Sequence, residues 1–204
     1  FNRWKAIIVK SKYLKDILKI PNAHVIPNGV DLNRFQLIPT LDAKEITGFP
    51  KDKKIVIFVA SPHRSEKNHQ LALKAFNILN DKHVELKTIF DVPNEIIPHY
   101  ISASDVVLLT SKWEGSPNII KEAMACNCPI VSTDVGDVRW IVGTTESCFI
   151  TSFDPIDIAD NIKKALAFNR RTNGRKRILE LGLDSETIAE RIIGVYKEVI
   201  SKYK

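Results

Sequence analysis

Two glutamates, Glu114 and Glu122, stand with seven residues between them in the stretch Glu114-Gly115-Ser116-Pro117-Asn118-Ile119-Ile120-Lys121-Glu122-Ala123-Met124-Ala125. The segment Asn118–Ala125 predicts a helix. Pro117 suits the first turn of that helix, where its missing N–H costs nothing. The free N–H groups of a helix start form an anion site suited to phosphate, and Gly115 lets backbone approach a ligand closely. Helical side chains lean toward the N-terminus, so Glu122 reaches a group beside a bound phosphate. A carboxylate repels phosphate but accepts hydrogen bonds from the two hydroxyls of a vicinal diol. A ribose next to a diphosphate meets both conditions. Glu114 is likewise placed to accept from hydroxyls of a sugar on the far side of the diphosphate.

These residues need a frame that sets them at strand ends. Lys54–Ala60 is a continuous apolar strand, and Asn68–Leu79 is a helix carrying Leu71, Ala72, Ala75, Phe76 and Leu79 on one face. Strands are then predicted at Glu85–Phe90, Asp105–Leu109, Pro129–Ser132 and Cys148–Ile150. The intervening helices fall at Asn94–Ser102, with Pro98 awkwardly inside it, at Asn118–Ala125 and at Val138–Val142. Asp154-Pro155 is a helix start, a capping Asp before a first-turn Pro. A last helix opens near Asp184 with Ile188, Ile192, Val195 and Val199 on one face. Ahead of this alternation come a short strand at Ala6–Val9, a helix near Ser11–Lys19 and a strand at His24–Ile26. That strand stops at the turn signal Pro27-Asn28-Gly29, and residues 30–39 read as a linker. Short apolar strands alternating with helices imply a parallel sheet covered on both faces, an α/β, doubly wound, Rossmann-like domain. Ligands in such folds sit beyond the carboxyl ends of the strands, where the Glu114 loop falls.

Composition narrows the alternatives. The 204 residues allow one good-sized domain with an appendage. No apolar run approaches a membrane-spanning length, and no signal peptide is visible. The chain opens at Phe1 and its only Met is Met124, which fits a fragment of something longer. Three cysteines, Cys126, Cys128 and Cys148, are too few and too oddly spaced for a disulfide framework or a zinc knuckle, and read as small buried residues of a protein in a reducing compartment. The net charge is +6. The basic residues are scattered, without the aromatic interleaving of a nucleic-acid surface. Lys163-Lys164 and Arg175-Lys176-Arg177 read as solvated helix faces, with attraction to an anionic membrane surface as the second reading. His24, His83 and His99 show no ligand spacing, and no acidic cluster suggests a metal site. His63 and His69 read as solvated or phosphate-adjacent rather than as bases. Trp113 suits either the sugar pocket or packing, and Asp134 and Asp137 suit turn shaping around Gly136. No Walker loop or G-x-G-x-x-G is present, which argues against an NTPase or a dinucleotide enzyme.

The stretch from Glu114 to Glu122, followed by Cys128-Pro129-Ile130-Val131-Ser132-Thr133-Asp134-Val135-Gly136-Asp137, resembles the retaining GT-B glycosyltransferases of the large GT4 family, the group 1 glycosyl transferases. Val25-Ile26-Pro27-Asn28-Gly29-Val30-Asp31 with Phe35 resembles that family's interdomain segment, so the likeness runs from about Val25 to the last helix. It implies the C-terminal, donor-binding half of a GT-B fold. It assigns Glu122 to the ribose hydroxyls, Glu114 to the transferred sugar, and the backbone around Gly115, Ser116, Pro117 and Asn118 to sugar and phosphate. It also implies an Arg and a Lys in the loop after the first strand of the domain, clamping the diphosphate. Lys67 matches the lysine. The family's Gly-Arg directly after the strand is Ala60-Ser61 here, so the arginine role moves to Arg64, whose guanidinium can grip phosphate bidentately. Positive charge there would stabilise the leaving diphosphate. In the family, the loop holding Asp91 and Asn94 contacts the base.

The resemblance further implies metal-independent transfer with no cofactor, the donor being a nucleoside-diphosphate sugar. The acceptor, a saccharide or a lipid-linked sugar, is expected on an N-terminal domain of which residues 1–20 would be the tail. Residues 21–183 would form the donor domain and 184–204 a closing helix. The expected setting is polysaccharide or glycolipid synthesis in the cytoplasm, at the inner membrane face, with no nucleic acid involved. A sugar-nucleotide epimerase of the same architecture, a non-catalytic nucleotide-binding module and a basic nucleic-acid-binding domain are the competing readings.

Overall fold

The computed structural model describes residues 4–202. Five parallel strands form the central sheet: β3 (Lys54–Val59), β4 (Val84–Ile89), β5 (Val106–Leu109), β6 (Ile130–Thr133) and β7 (Cys148–Thr151). Their order across the sheet is β4-β3-β5-β6-β7, every pair parallel. The chain runs outward from β3 to β4 and then returns to lay β5 on the other side of β3. The strand order therefore reverses at β3, the position where such sheets open a crevice.

Alternate residues of the buried strands feed two cores, as the period-two geometry of a strand requires. Val56, Phe58, Val106, Leu108 and Val131 pack beneath α3 (His69–Leu79) and α7 (Pro155–Phe168), against Leu71, Ala72, Ile158 and Ile162. Ile55, Ile57, Val107, Leu109 and Ile130 pack on the opposite face, against residues of α4 (Ile97–Ala103), α5 (Asn118–Ala125) and α6 (Val138–Val142). Asp154 caps α7 by accepting from Ile156 N at 2.9 Å. Pro98 falls in the first turn of α4, because residues 94–96 form a separate 3-10 turn. Pro98 thus breaks no helix bond.

Two further helices carry no clear periodicity in the sequence: α2 (Thr40–Thr47) and α8 (Gly174–Glu180). The second corrects the reading of Arg175-Lys176-Arg177 as a solvated face. Lys176 is exposed, but Arg175 donates from Nη1 to Phe35 O at 2.6 Å and Ala125 O at 3.1 Å, and from Nη2 to Leu32 O at 2.8 Å. Arg177 donates to Trp140 O at 3.1 Å. Backbone carbonyls in a crowded interior need donors, and the arginine fork supplies several from one side chain. Residues 30–39 are correspondingly packed rather than a loose linker, with Val30 and Phe35 in the main core.

The first segment forms a small unit of its own. β1 (Ile8–Val9) pairs parallel with β2 (His24–Val25), and α1 (Lys12–Ile17) crosses between them, with Val9, Ile20 and Ala23 in a separate core. Ser11 caps α1, accepting from Leu14 N at 3.2 Å. The final helix, α9 (Ser185–Lys202), starts beside the exit of β2: Val30 N bonds to Leu183 O at 2.9 Å and Ser185 N to Val30 O at 3.0 Å. No helix among the described residues is long and apolar enough to cross a membrane.

Candidate functional site

The loops after β3, β4 and β5 meet the 28–35 segment around a cleft of about 610 Å³ at the carboxyl edge of the sheet. Its lining includes Arg64, Lys67, Glu114, Ser116, Pro117, Asn118 and Glu122, so the cleft brings together most of the residues singled out from the sequence. Of the residues assigned to the donor, Gly115 alone does not line the cleft. A Cβ there would lie 3.0 Å from Leu14 Cδ1, so the close approach at Gly115 is to α1.

The β3–α3 and β5–α5 loops are tied to one another. Thr110 Oγ1 donates to Lys67 O at 3.1 Å and Asn68 O at 3.0 Å, and Lys112 N donates to Glu66 O at 2.8 Å. Asn68 holds a left-handed backbone, φ 54°, that turns the chain from a short 3-10 turn at residues 65–67 into α3. The consequence is a direct ion pair across the cleft floor. Lys67 Nζ sits 2.6 Å from Glu114 Oε1, which also accepts from Ser111 Oγ at 2.8 Å, and the two charged side chains are only about 16% and 15% exposed. Arg64 is exposed at the rim, held by Glu66 Oε1 at 2.6 Å. The Glu66 carboxyl lies below its usual range, through a backbone hydrogen bond and then through Arg64.

Glu122 is different in kind. Its carboxylate accepts no hydrogen bond from a described residue, and burial raises its pKa even against the pull of Arg34 and Lys121. An unpaired, desolvated carboxylate at a cleft wall is poised to accept from a ligand's hydroxyls. One turn earlier, the start of α5 has no side-chain cap, and Asn118 and Ile119 face the cleft. Pro117 is the N-cap residue with extended backbone, φ −67° and ψ 124°, one position before the place expected from the sequence. The uncapped amides of the first turn and the helix dipole favour an anion there.

Several residues of the cleft were not legible in the sequence. Arg34 stacks on Phe35 at 5.4 Å, and its charge pulls on Glu122 more strongly than that of Lys121. Asn28 Nδ2 donates to Asn118 Oδ1 at 3.2 Å, joining the Pro-Asn-Gly turn to α5. Asn94 lines the cleft; Asp91, with φ 54°, does not. Among the other candidates, Trp113 neither lines the cleft nor packs, being 60% exposed. His69 bonds Thr88 Oγ1 at 2.8 Å and stacks edge-on against Phe58, away from the cleft, and burial lowers its pKa. Asp134 pairs with Arg139 at 2.7 Å. Cys126 and Cys128 are buried free thiols, Cys126 pushed up to about 12 by burial. Among the described residues no three His, Cys, Asp or Glu side chains converge as metal ligands do.

The α/β fold with its five-stranded parallel sheet matches solved GT-B glycosyltransferase structures. Residues 88–167 match the family model described as glycosyl transferases group 1. The lipopolysaccharide core biosynthesis mannosyltransferase LpsB of Rhizobium meliloti (strain 1021) is 30% identical over 200 residues, 81% of this chain and 56% of LpsB. The UDP-Gal:alpha-D-GlcNAc-diphosphoundecaprenol alpha-1,3-galactosyltransferase of Escherichia coli is 27% identical over 185 residues, 76% of this chain and 47% of the enzyme. HepE of Anabaena, solved in complex with UDP, superposes with a TM-score of 0.80 at 18% identity, covering 97% of this chain and 65% of HepE. The chain therefore carries a group 1 glycosyl transferase segment and has glycosyltransferases as homologues. It spans about half the length of the curated relatives it matches.

Proposed function

We propose that this chain is the donor-binding part of a retaining glycosyltransferase of the GT4 type, taking a nucleoside-diphosphate sugar. The observation that carries the reading is the shared cleft: an uncapped helix start for phosphate, Glu122 unpaired for a diol, and the Lys67–Glu114 pair beside them. In this scheme the ribose hydroxyls donate to Glu122, and the diphosphate lies across the α5 start with Arg64 and Lys67. Lys67 is shared between Glu114 and the diphosphate. As the bond from sugar to diphosphate breaks, negative charge grows on the leaving oxygen, and Lys67 and Arg64 stabilise it. Glu114, relieved of part of its pairing, accepts from hydroxyls of the transferred sugar. Gly115, Ser116, Pro117 and Asn118 shape the wall between phosphate and sugar, and Asn94 stands on the side of the base. No cofactor or metal takes part in this scheme.

The acceptor is proposed to be a saccharide or lipid-linked sugar, bound by a further domain across the cleft, in surface polysaccharide or glycolipid synthesis at the cytoplasmic membrane face. The relatives named for lipopolysaccharide core and for a diphosphoundecaprenol-linked sugar support that setting, and HepE's UDP makes UDP the first base to try. The test is calorimetric titration of the protein with UDP, GDP and dTDP beside Glu122→Ala. Saturable binding of one diphosphate, weakened by the substitution, supports the reading. Binding of none of them refutes it.

A further inference from the structure

Lys121 precedes Glu122 on α5 and points the other way, into the protein. It is fully buried, yet carries an ammonium. Its Nζ reaches back along the helix and donates to both oxygens of Ser116, to the carbonyl at 3.2 Å and to the hydroxyl at 2.8 Å. Asp137, at the start of α6, is also buried, 9% exposed, and neither carboxyl oxygen completes a hydrogen bond with a described residue. Two buried opposite charges face one another across Ser116. Neither would be tolerated alone, because an uncompensated buried charge is expensive.

The backbone joins the same two loops. Gly136 has φ +59°, and a Cβ there would lie 2.8 Å from Gly115 O and 2.9 Å from Glu114 O. The β6–α6 loop is therefore pressed against the peptide units that carry Glu114 and Gly115. Ser116 lines the cleft on the other side.

We propose that Lys121 and Asp137 are a positioning pair for the donor loop, holding Ser116 between the ammonium, which donates to both its oxygens, and the carboxylate that lies beside its hydroxyl. This rests on the donor-site reading above. A hydroxyl both accepts and donates, so Ser116 takes the ammonium on its oxygen and turns its hydrogen toward the Asp137 carboxylate. The backbone amides of the first turn of α5, rather than the Ser116 hydroxyl, are then left for an anionic ligand. Asp137 balances the ammonium and ties it to Gly136, so the loop holding Glu114 and Ser116 is fixed from behind.

The protonation of Lys121 supplies a readout. Burial brings its pKa down to about 8, against the pull of Asp137 and Glu122. Burial raises the pKa of Asp137, against the Ser116 hydroxyl and Lys121. The charged groups acting on Lys121 are Asp137 from α6, Glu122 from α5, Glu114 from the β5–α5 loop and Lys10 from the link between β1 and α1. All but Asp137 are retained when Lys121 and Asp137 are replaced together.

The experiment measures UDP, GDP and dTDP affinity and thermal midpoint for the protein and for Lys121→Met, Asp137→Asn, the two combined, and Ser116→Ala. Each single charge removal is expected to lower the midpoint. The combined variant is expected to regain stability but to bind the nucleotide about tenfold more weakly than the unaltered protein. Ser116→Ala is expected to lose a similar factor and to add nothing to the combined variant. Affinity of the unaltered protein should fall as pH rises through about 8, and the combined variant should lack that step. Wild-type-like affinity in the combined variant, additive losses with Ser116→Ala, or identical pH profiles overturn the pair's role while leaving the donor site standing. Should the combined variant fail to fold, Ser116→Ala and the pH profile of the unaltered protein still decide. Binding of no diphosphate by the unaltered protein overturns the donor reading and this proposal together.

Discussion

Replacing Glu122 with Gln should weaken nucleotide binding and strengthen the fold at once. Gln keeps the shape and one acceptor oxygen but removes the charge. The Glu122 carboxylate receives no hydrogen bond from a described residue, so no donor in the free protein loses a partner. Its pKa is raised in the fold by burial, whereas an unfolded chain leaves it near the ordinary value of about 4.3. The folded state therefore binds the proton more tightly than the unfolded state. Ionisation opposes folding from about pH 4.3 upward, most fully once pH exceeds the raised native value. At pH 7 the Gln variant escapes that penalty, and each kcal/mol recovered lifts the thermal midpoint by about 2–4 °C for a protein of this size. At pH 4, where the carboxyl is protonated in the fold, the two proteins should converge. Binding moves the other way. One hydrogen bond to a charged acceptor is worth about 1.5–3 kcal/mol, so the dissociation constant should rise about 10- to 150-fold. Calorimetry of the diphosphate and thermal melts at pH 4 and 7 read both effects. Unchanged affinity, or a midpoint at pH 7 that falls, would refute the reasoning that Glu122 is held unpaired for a ligand.

Lys67→Ala removes a largely buried positive charge from the cleft and leaves Glu114 with Ser111 alone, so on the donor-site reading diphosphate affinity should fall about 10-fold or more, seen by calorimetry. Gly136→Ala places a methyl against the Glu114 and Gly115 carbonyls in a left-handed backbone, and should cost about 1–3 kcal/mol in urea unfolding while weakening donor binding. Arg175→Ala strands the carbonyls of Leu32, Phe35 and Ala125. It should destabilise by about 2–4 kcal/mol in the same assay and loosen Arg34, so that diphosphate affinity falls although Arg175 touches no ligand.

Much of this site could be read from the chain because its residues are close in sequence. Glu114 to Glu122 spans one short loop and little more than one helical turn, so their relation is almost wholly local. The start of α5 was legible to within one residue from Pro117, whose missing N–H costs nothing at a helix beginning. Arg64 and Lys67 lie on another loop, and only the resemblance of the segment brought them to the same place. Arg34 was hidden for a different reason. Its position depends on Arg175, 141 residues further along, gripping the carbonyls on either side of it, and no local periodicity records such a contact. The helix carrying Arg175 was itself obscured, since it opens with Gly174 and a basic run. That glycine is needed because a Cβ would lie 2.8 Å from Met124 O, a packing demand invisible in the chain's own pattern. Strand order, likewise, is a property of pairings between distant segments.

The crossing at Gly29 has a mechanical consequence. A Cβ on Gly29 would lie 2.7 Å from Ser185 Cα, and Val30 bridges Asp184, so the passage out of β2 and the passage into α9 run pressed together. Further along α9, Arg191 Nη2 holds Val25 O at 2.8 Å. The β1–α1–β2 unit is thus joined to the main body by a doubled stem as well as by Ala6 and Ile8, which pack against the main core. A single tether can swing in any direction; two adjacent ones resist bending across their common plane and yield chiefly by twisting about their length. Because Leu14 of the small unit abuts Gly115, such a twist would wind and unwind directly against the loop that carries Glu114 and Ser116.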